Sequence, residues 1–417
     1  MTDTLHILGG KPLQGSVLPG GSKNGSLPAL AACLLMEGEC RLSNVPQIED
    51  VETMLALLRC CGAQVERDSA GAVIVSTLNL RPTKITAELA AKMRASYYLL
   101  GPLAGRLGEA SLPLPGGCNL GSRPVEYLLQ ALEPLGLTAS VRDEQLVISG
   151  GPTKGGRVVL DPRYRSPGAT FTTIMAGCLG EGETVIENAC EEPDVVSFCE
   201  FLGRAGAKIQ GAGSSTILIQ GVKGLRGVEH RILGDRLEAG TYLLAGAASR
   251  GDVTAVGASR ARLRGFVEAL EECGVEVRDE VEGIRALCPK RPRGLDIITR
   301  PFPGFPTDLQ PPMMALLACA EGTSRIEERI FDGRMGHVEE LQRLGASIEA
   351  EGRRAVLHGV EQLKGAEVEA LNIRAGAALI VAAVGAAGET CLRGRAHLAR
   401  GYERLEEKLA ALGAQVR

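Results

Sequence analysis

The chain has 417 residues, room for two domains of about 200 residues each. Hydrophobic residues make up 45%, enough for a large core, while 3% aromatics, no Trp and 54 Gly point to close helix–sheet packing and many tight turns. A net charge of −4, from 46 basic and 50 acidic residues, argues against a nucleic-acid protein with its basic face, yet leaves room for a local basic pocket around an anionic small molecule.

The first ten residues lack the basic-then-apolar layout of a signal peptide. Apolar stretches such as 375–387 are broken by Gly and too short to span a membrane, so a cytoplasmic protein is expected. Cys33, Cys178, Cys199, Cys273 and Cys319 fall in apolar periodic runs, as reduced core thiols do. No C-x-x-C pair occurs and the five His are scattered, which gives a structural zinc site no support.

A Gly-rich turn at 19–26 (PGGSKNGS) feeds a helix expected over 26–36. Free backbone N–H groups, a helix start and Lys23 make it similar to a phosphate cradle, but Lys23 stands before the expected helix and the Walker spacing is missing. A solvated Lys in a turn explains it equally simply.

From there a phrase recurs: a helix ends in Leu-x-x-x-Gly and runs into a strand. It begins at Leu58, Leu132, Leu202, Leu270, Leu341 and Leu409, with its glycine at Gly62, Gly136, Gly206, Gly274, Gly345 and Gly413, about 70 residues apart. A glycine there ends a helix in the left-handed conformation, without a Cβ clash. Upstream of each lies a second turn, at Gly38, Gly108, Gly182, Gly251, Gly322 and Gly388, after an Ala/Leu-rich helix such as 311–320. One unit reads as strand, helix, strand, helix, strand, strand. The period is too long for an open solenoid. Six α/β units instead suit a closed pseudo-symmetric arrangement in two lobes, with a cleft between them as the ligand site.

Three further features carry possible chemistry. The loop at 114–124 (LPGGCNLGSRP) places Cys118 among glycines near Arg123; it reads either as an accessible thiol of tunable pKa or as an ordinary loop cysteine. Arg94, Arg334, Arg374 and Arg400 stand near Gly-rich turns, and Arg suits bidentate recognition of phosphate or carboxylate. Asp308, in FPTDLQ, stands at an expected helix start, where an Asp is ordinarily a cap.

These segments together resemble the enolpyruvyl transferases, in particular those acting on UDP-N-acetylglucosamine. The likeness rests on GGSKNGSLPAL at 20–30, LPGGCNLGSRPVEY at 114–127, SPGATFT at 166–172, GDRLEAGTYL at 234–243, PGFPTDLQ at 303–310, NIRAGAAL at 372–379 and RGYERLEEKLAALGA at 400–414. It implies an α/β fold, a two-lobed inside-out α/β barrel of six pseudo-symmetric repeats, three per lobe. One lobe would span 21–228 and the other 1–20 plus 229–417, with the active site in the cleft between them.

The implied reaction transfers the enolpyruvyl group of phosphoenolpyruvate to the 3′-hydroxyl of UDP-N-acetylglucosamine with release of phosphate, the first committed step of peptidoglycan synthesis. Cys118 would be the acid and Asp308 the base, with Lys23, Arg123 and Arg400 binding phosphate. Arg94, Arg334 and Arg374 would line the cleft. Asn24 would touch the sugar, Arg123, Pro124, Val125, Glu126, Ser166 and Gly168 would frame the UDP moiety, and Ile330 would also contact substrate. No metal or organic cofactor, nucleic acid or membrane is implied, and the oligomeric state is not given. Departures from the family pattern are Asn372 and Ala399, where Asp is usual, Glu49 in place of a basic residue, Glu126 in place of Asp, and Met335-Gly336. They motivate two alternatives: a paralogue that binds the nucleotide sugar but is catalytically weak or regulatory, and a transferase for another nucleotide sugar.

Overall fold

The computed structural model describes residues 3–78, 80, 85–114 and 131–417. The chain forms two compact units, Gly21–Leu233 (the N-terminal unit) and Met1–Gly20 with Gly234–Arg417 (the C-terminal unit). Each has its own buried apolar core.

One sheet plan recurs. In the N-terminal unit, Gly156–Val159 pairs in parallel with Glu183–Glu187, which pairs antiparallel with Thr216–Gln220, which pairs antiparallel with Lys208–Gln210. The order Glu229–Arg231, Glu39–Ser43, Val73–Ser76, Gln64–Arg67 repeats it. A third sheet joins Glu109–Pro113, Gln145–Ser149 and Thr138–Arg142, all antiparallel.

The C-terminal unit contains the plan three times. Its central strands are Asp252–Val256, Thr323–Glu327 and Glu389–Arg393, with parallel partners Gln14–Val17, Asp296–Ile298 and Glu367–Glu369. The N-terminal segment thus supplies two strands here, since Thr4–Leu8 also pairs antiparallel with Glu389–Arg393.

A parallel pair needs a crossover, and a helix provides it. Those crossover helices are the buried ones. In the helix Pro167–Cys178 every residue from Gly168 onward is buried, as its apolar sequence ATFTTIMAGC requires. The second helix of each plan is amphipathic instead: Arg264–Glu272 buries only Phe266, Val267, Ala269 and Leu270. In the C-terminal unit the crossover helices Arg236–Ala248, Gln310–Leu317 and Ile373–Gly385 pack on one another. Small residues let neighbouring segments come close to them: a Cβ at Gly240 would lie 2.6 Å from Leu309 Cδ1 in the turn before Gln310–Leu317, and one at Gly376 would lie 2.8 Å from Leu398 Cδ2 in the short helix Arg395–Ala399.

The six helix-ending glycines adopt φ between 82° and 109°, as their sequence phrase requires. The turn at Gly251 differs. There Arg250 takes the left-handed conformation (φ 60°), and Gly251 is small because the Leu13 carbonyl oxygen lies 2.0 Å from where its Cβ would be. The first helix also starts earlier than 26: it spans Lys23–Ala32, because Ser22 Oγ accepts from the Gly25 N–H, and a 3-10 turn, Cys33–Leu35, continues it. The helix expected over 311–320 spans Gln310–Leu317. Among the described residues no helix is long and apolar enough to cross a membrane.

Candidate active site

In the C-terminal unit the expected site residues collect where the buried crossover helices begin. Pro306 leads into the 3-10 turn Thr307–Leu309, and the following helix has Pro in its first turn and no side-chain cap. Asp308 is therefore not a helix cap, the role its position in the sequence suggested. Its carboxylate instead accepts from two guanidinium groups, Arg334 Nη2 on Oδ1 at 2.7 Å and Arg374 Nη2 on Oδ2 at 2.8 Å.

The cluster is nearly dry, with side-chain exposures of 3% for Arg334, 11% for Arg374 and 22% for Asp308. Burial opposes charge on Arg374, yet the Asp308 carboxylate, with Tyr402 and Asp235 beyond it, raises its pKa above the usual arginine value. The Arg334 guanidinium lies 4.8 Å from the centroid of the Phe331 ring. Behind it, His337 is buried and its Nδ1–H donates to the Arg334 carbonyl at 3.1 Å. Burial pushes the His337 pKa down to about 3 despite that hydrogen bond, so the ring is neutral near neutral pH.

Arg374 is held from its own helix end. Asn372 caps Ile373–Gly385, its Oδ1 accepting from the N–H groups of Arg374 and Ala375, both at 3.0 Å. The amide therefore keeps the capping function that an Asp would perform at this position. Arg400 follows the short helix Arg395–Ala399 and is half-buried. A Cβ at its neighbour Gly401 would lie 3.1 Å from Ile373 Cγ2, so this stretch runs beside the helix end that carries Arg374. Ile330 is buried.

The N-terminal unit gathers a second set. Lys23 is the first residue of its helix, and its Nζ reaches Asp50 Oδ2 at 3.5 Å. Asn24 follows, half-buried. Ser166 caps Pro167–Cys178 through its Oγ, which accepts from the Ala169 N–H at 3.3 Å. Gly168 has no room for a side chain: a Cβ would lie 2.0 Å from Tyr97 Oη. Tyr97 belongs to the 3-10 helix Arg94–Leu99, so this contact joins the Ser166 end to the turn that starts with Arg94. That turn also packs on the helix Lys23–Ala32. Two helix N-termini and two cationic side chains in one unit are the elements of an anion site. Glu49 opens the helix Glu49–Cys60, exposed, where its charge favours the helix dipole. Cys118, Arg123, Pro124, Val125 and Glu126 lie outside the described residues.

A model of the EPSP synthase (3-phosphoshikimate 1-carboxyvinyltransferase) family matches residues 7–409. The chain belongs to this family. Within the EPSP synthase family it is similar to UDP-N-acetylglucosamine 1-carboxyvinyltransferase 3 of Symbiobacterium thermophilum, 45% identical over 99% of this chain and 97% of that one. It is also similar to UDP-N-acetylglucosamine 1-carboxyvinyltransferase of Halothermothrix orenii, 42% identical over 99% and 98%. Among solved structures, the enolpyruvyl transferase NikO from Streptomyces tendae superposes with a TM-score of 0.88 at 28% identity, covering 99% of this chain and 98% of that one. An EPSP synthase from Acinetobacter baumannii, at 18% identity and a TM-score of 0.74, shares the α/β fold.

Sequence reasoning missed three side chains that this family member uses to hold the expected ones: Asp50 on Lys23, Tyr97 against Gly168, and Glu328. The last was detectable. The strand Thr323–Glu327 buries alternate residues Ser324 and Ile326, and the same period of two carries Glu328 to the interior. A carboxylate on a core face is an anomaly worth a partner search.

Proposed function

We propose that the chain transfers the enolpyruvyl group of phosphoenolpyruvate to the 3′-hydroxyl of UDP-N-acetylglucosamine and releases phosphate. The observation that carries this reading is the match, at 42–45% identity and nearly full length, to relatives named UDP-N-acetylglucosamine 1-carboxyvinyltransferase. In this reading the recurring sheets are six pseudo-symmetric repeats closed as two inside-out barrels. The enzyme then works in the cytoplasm at the first committed step of peptidoglycan synthesis, and so contributes to cell shape and division.

The chemistry needs an acid, a base and cations around a phosphate. Cys118 gives a proton to C3 of phosphoenolpyruvate. The sugar hydroxyl then adds at C2, its proton passing to Asp308. The tetrahedral adduct then breaks its C2–O bond to release phosphate while the Cys118 thiolate takes a proton back from C3, which forms the C2=C3 double bond of the enol ether product. The two arginines that donate to the Asp308 carboxylate hold it in place for its role as base. Lys23, Arg123 and Arg400 hold the phosphate. Arg94, Arg334 and Arg374 supply further positive charge, while Asn24, Pro124, Val125, Glu126, Ser166, Gly168 and Ile330 hold the nucleotide sugar.

Phosphate release with phosphoenolpyruvate, measured in parallel with UDP-N-acetylglucosamine, other UDP-sugars and shikimate 3-phosphate, tests the reading. Turnover should require the first acceptor. Tight binding of that sugar nucleotide without any turnover, or faster turnover with another acceptor, would overturn it.

A further inference from the structure

Glu328 is fully buried, and its carboxylate meets three donors. Thr307 Oγ1 donates to Oε2 at 3.0 Å. The N–H groups of Ile330 and Phe331 donate to Oε1 at 2.8 and 3.0 Å. Its own N–H is engaged by the Arg353 carbonyl at 2.8 Å, so the backbone beneath is fixed as well.

These donors come from two loops. Thr307 immediately precedes Asp308. Ile330 is an expected substrate contact, and Phe331 carries the ring beside the Arg334 guanidinium. The Arg334–Asp308 ion pair, at 2.7 Å, closes a circuit: Asp308, Thr307, Glu328, Phe331, Arg334 and back to Asp308. A circuit closed by hydrogen bonds at both ends has little freedom to shear. We infer that Glu328 is a positioning residue, which sets the distance between the Asp308 carboxylate and the segment from Ile330 to Arg334, and thereby the place where the acceptor hydroxyl meets its base. The inference rests on the proposed reaction.

Chemistry limits what can replace it. Gln at 328 offers one acceptor oxygen, which suits the two amides, and an NH2 group that the Thr307 hydroxyl can accept. The circuit then survives in weakened form. Val at 307 removes one link and keeps side-chain size, whereas Ser restores the hydroxyl.

The experiment compares Glu328→Gln, Thr307→Val and Thr307→Ser in full-length protein whose circular dichroism matches the parent. A misplaced reacting group costs up to about 100-fold, so Thr307→Val should lose roughly 10- to 100-fold in kcat/KM for UDP-N-acetylglucosamine. Glu328→Gln should lose less, Thr307→Ser should lie near the parent, and KM for phosphoenolpyruvate should hold steady throughout. A KM for phosphoenolpyruvate that rises as much as the KM for UDP-N-acetylglucosamine, a Thr307→Val enzyme as active as the parent, or no rescue by Ser would overturn the positioning role. A parent that turns over neither substrate defeats the proposed reaction instead. Amide hydrogen exchange at Ile330 and Phe331 then decides the tie between the loops: faster exchange in Glu328→Gln supports it, and unchanged exchange refutes it.

Discussion

Replacing Asp308 by Asn tests the central cluster in two independent ways. The carboxylate is the acceptor for two guanidinium groups at 2.7 and 2.8 Å, one of them, Arg334, with a side chain only 3% exposed. Removing one partner of a buried ion pair costs about 3 to 5 kcal/mol, because the remaining charge is left in a poorly solvated place. Asn retains one carbonyl oxygen for one arginine but turns NH2 hydrogens toward the other, where donor faces donor. Since Asp308 is itself about a fifth exposed, water relieves part of this, and the lower end, about 3 kcal/mol, is expected. In a unit of this size that lowers the melting temperature of its transition by roughly 6 to 12 °C. Calorimetry reads the loss directly. Turnover is measured separately, well below the melting range, where loss of a general base should cost roughly 10²- to 10⁴-fold. A variant that melts within 2 °C of the parent would refute the claim that this carboxylate neutralises the arginines. One that melts early but turns over at the parent rate would show a structural clamp and no base.

Four further outcomes are expected. Asn372→Ala should destabilise the C-terminal unit by about 1 kcal/mol through loss of the helix cap, whereas Asn372→Asp should keep the cap and raise the turnover rate; urea unfolding and phosphate release separate the two effects. Gly168→Ala should weaken UDP-sugar binding in calorimetric titration and cost about 1 to 3 kcal/mol, because Tyr97 must move aside. Cys118→Ala should abolish turnover and alkylation by the epoxide inhibitor fosfomycin, and labelling of another cysteine would reassign the acid. Burial holds His337 at about 3, below its ordinary value near 6.5, so its contribution to stability is complete above about pH 6.5 and is lost as the pH falls toward 3. Urea unfolding at pH 7 and pH 5 should show about 2 kcal/mol more loss in the parent than in His337→Gln.

Legibility in the sequence followed the range of each interaction. The helix ends at Gly62 through Gly413 were readable because a C-cap is a matter of a few adjacent residues. The start at Lys23 was misread. Gly20, Gly21 and Gly25 look like loop, and only the structure shows Gly25 inside the helix, where a Cβ would lie 2.8 Å from Asp194 Oδ1. Residue types at the site were readable from motifs, but their pairing was not: Asp308 and Arg374 are 66 residues apart and meet only through the packing of two crossover helices.

That packing also explains why the chemistry gathers where it does. In the C-terminal unit, the helices Gln310–Leu317 and Ile373–Gly385 are buried almost throughout, so a charge along their length would face apolar neighbours. Their N-terminal ends are different, since each leaves backbone N–H groups that must be satisfied. Asn372 satisfies them on one helix, and the same end carries Arg374. On the third helix Asp235 Oδ1 accepts from the N–H groups of Leu237 and Glu238, at 2.8 and 3.0 Å. On the second, the Pro-led start has no side-chain cap, and the Asp308 carboxylate just before it faces Arg334 and Arg374. A plan with helices inside thus concentrates polar side chains at one end of each helix. In the sequence, these are the positions just before a long apolar run, which is where Asp235, Asp308 and Asn372 stand.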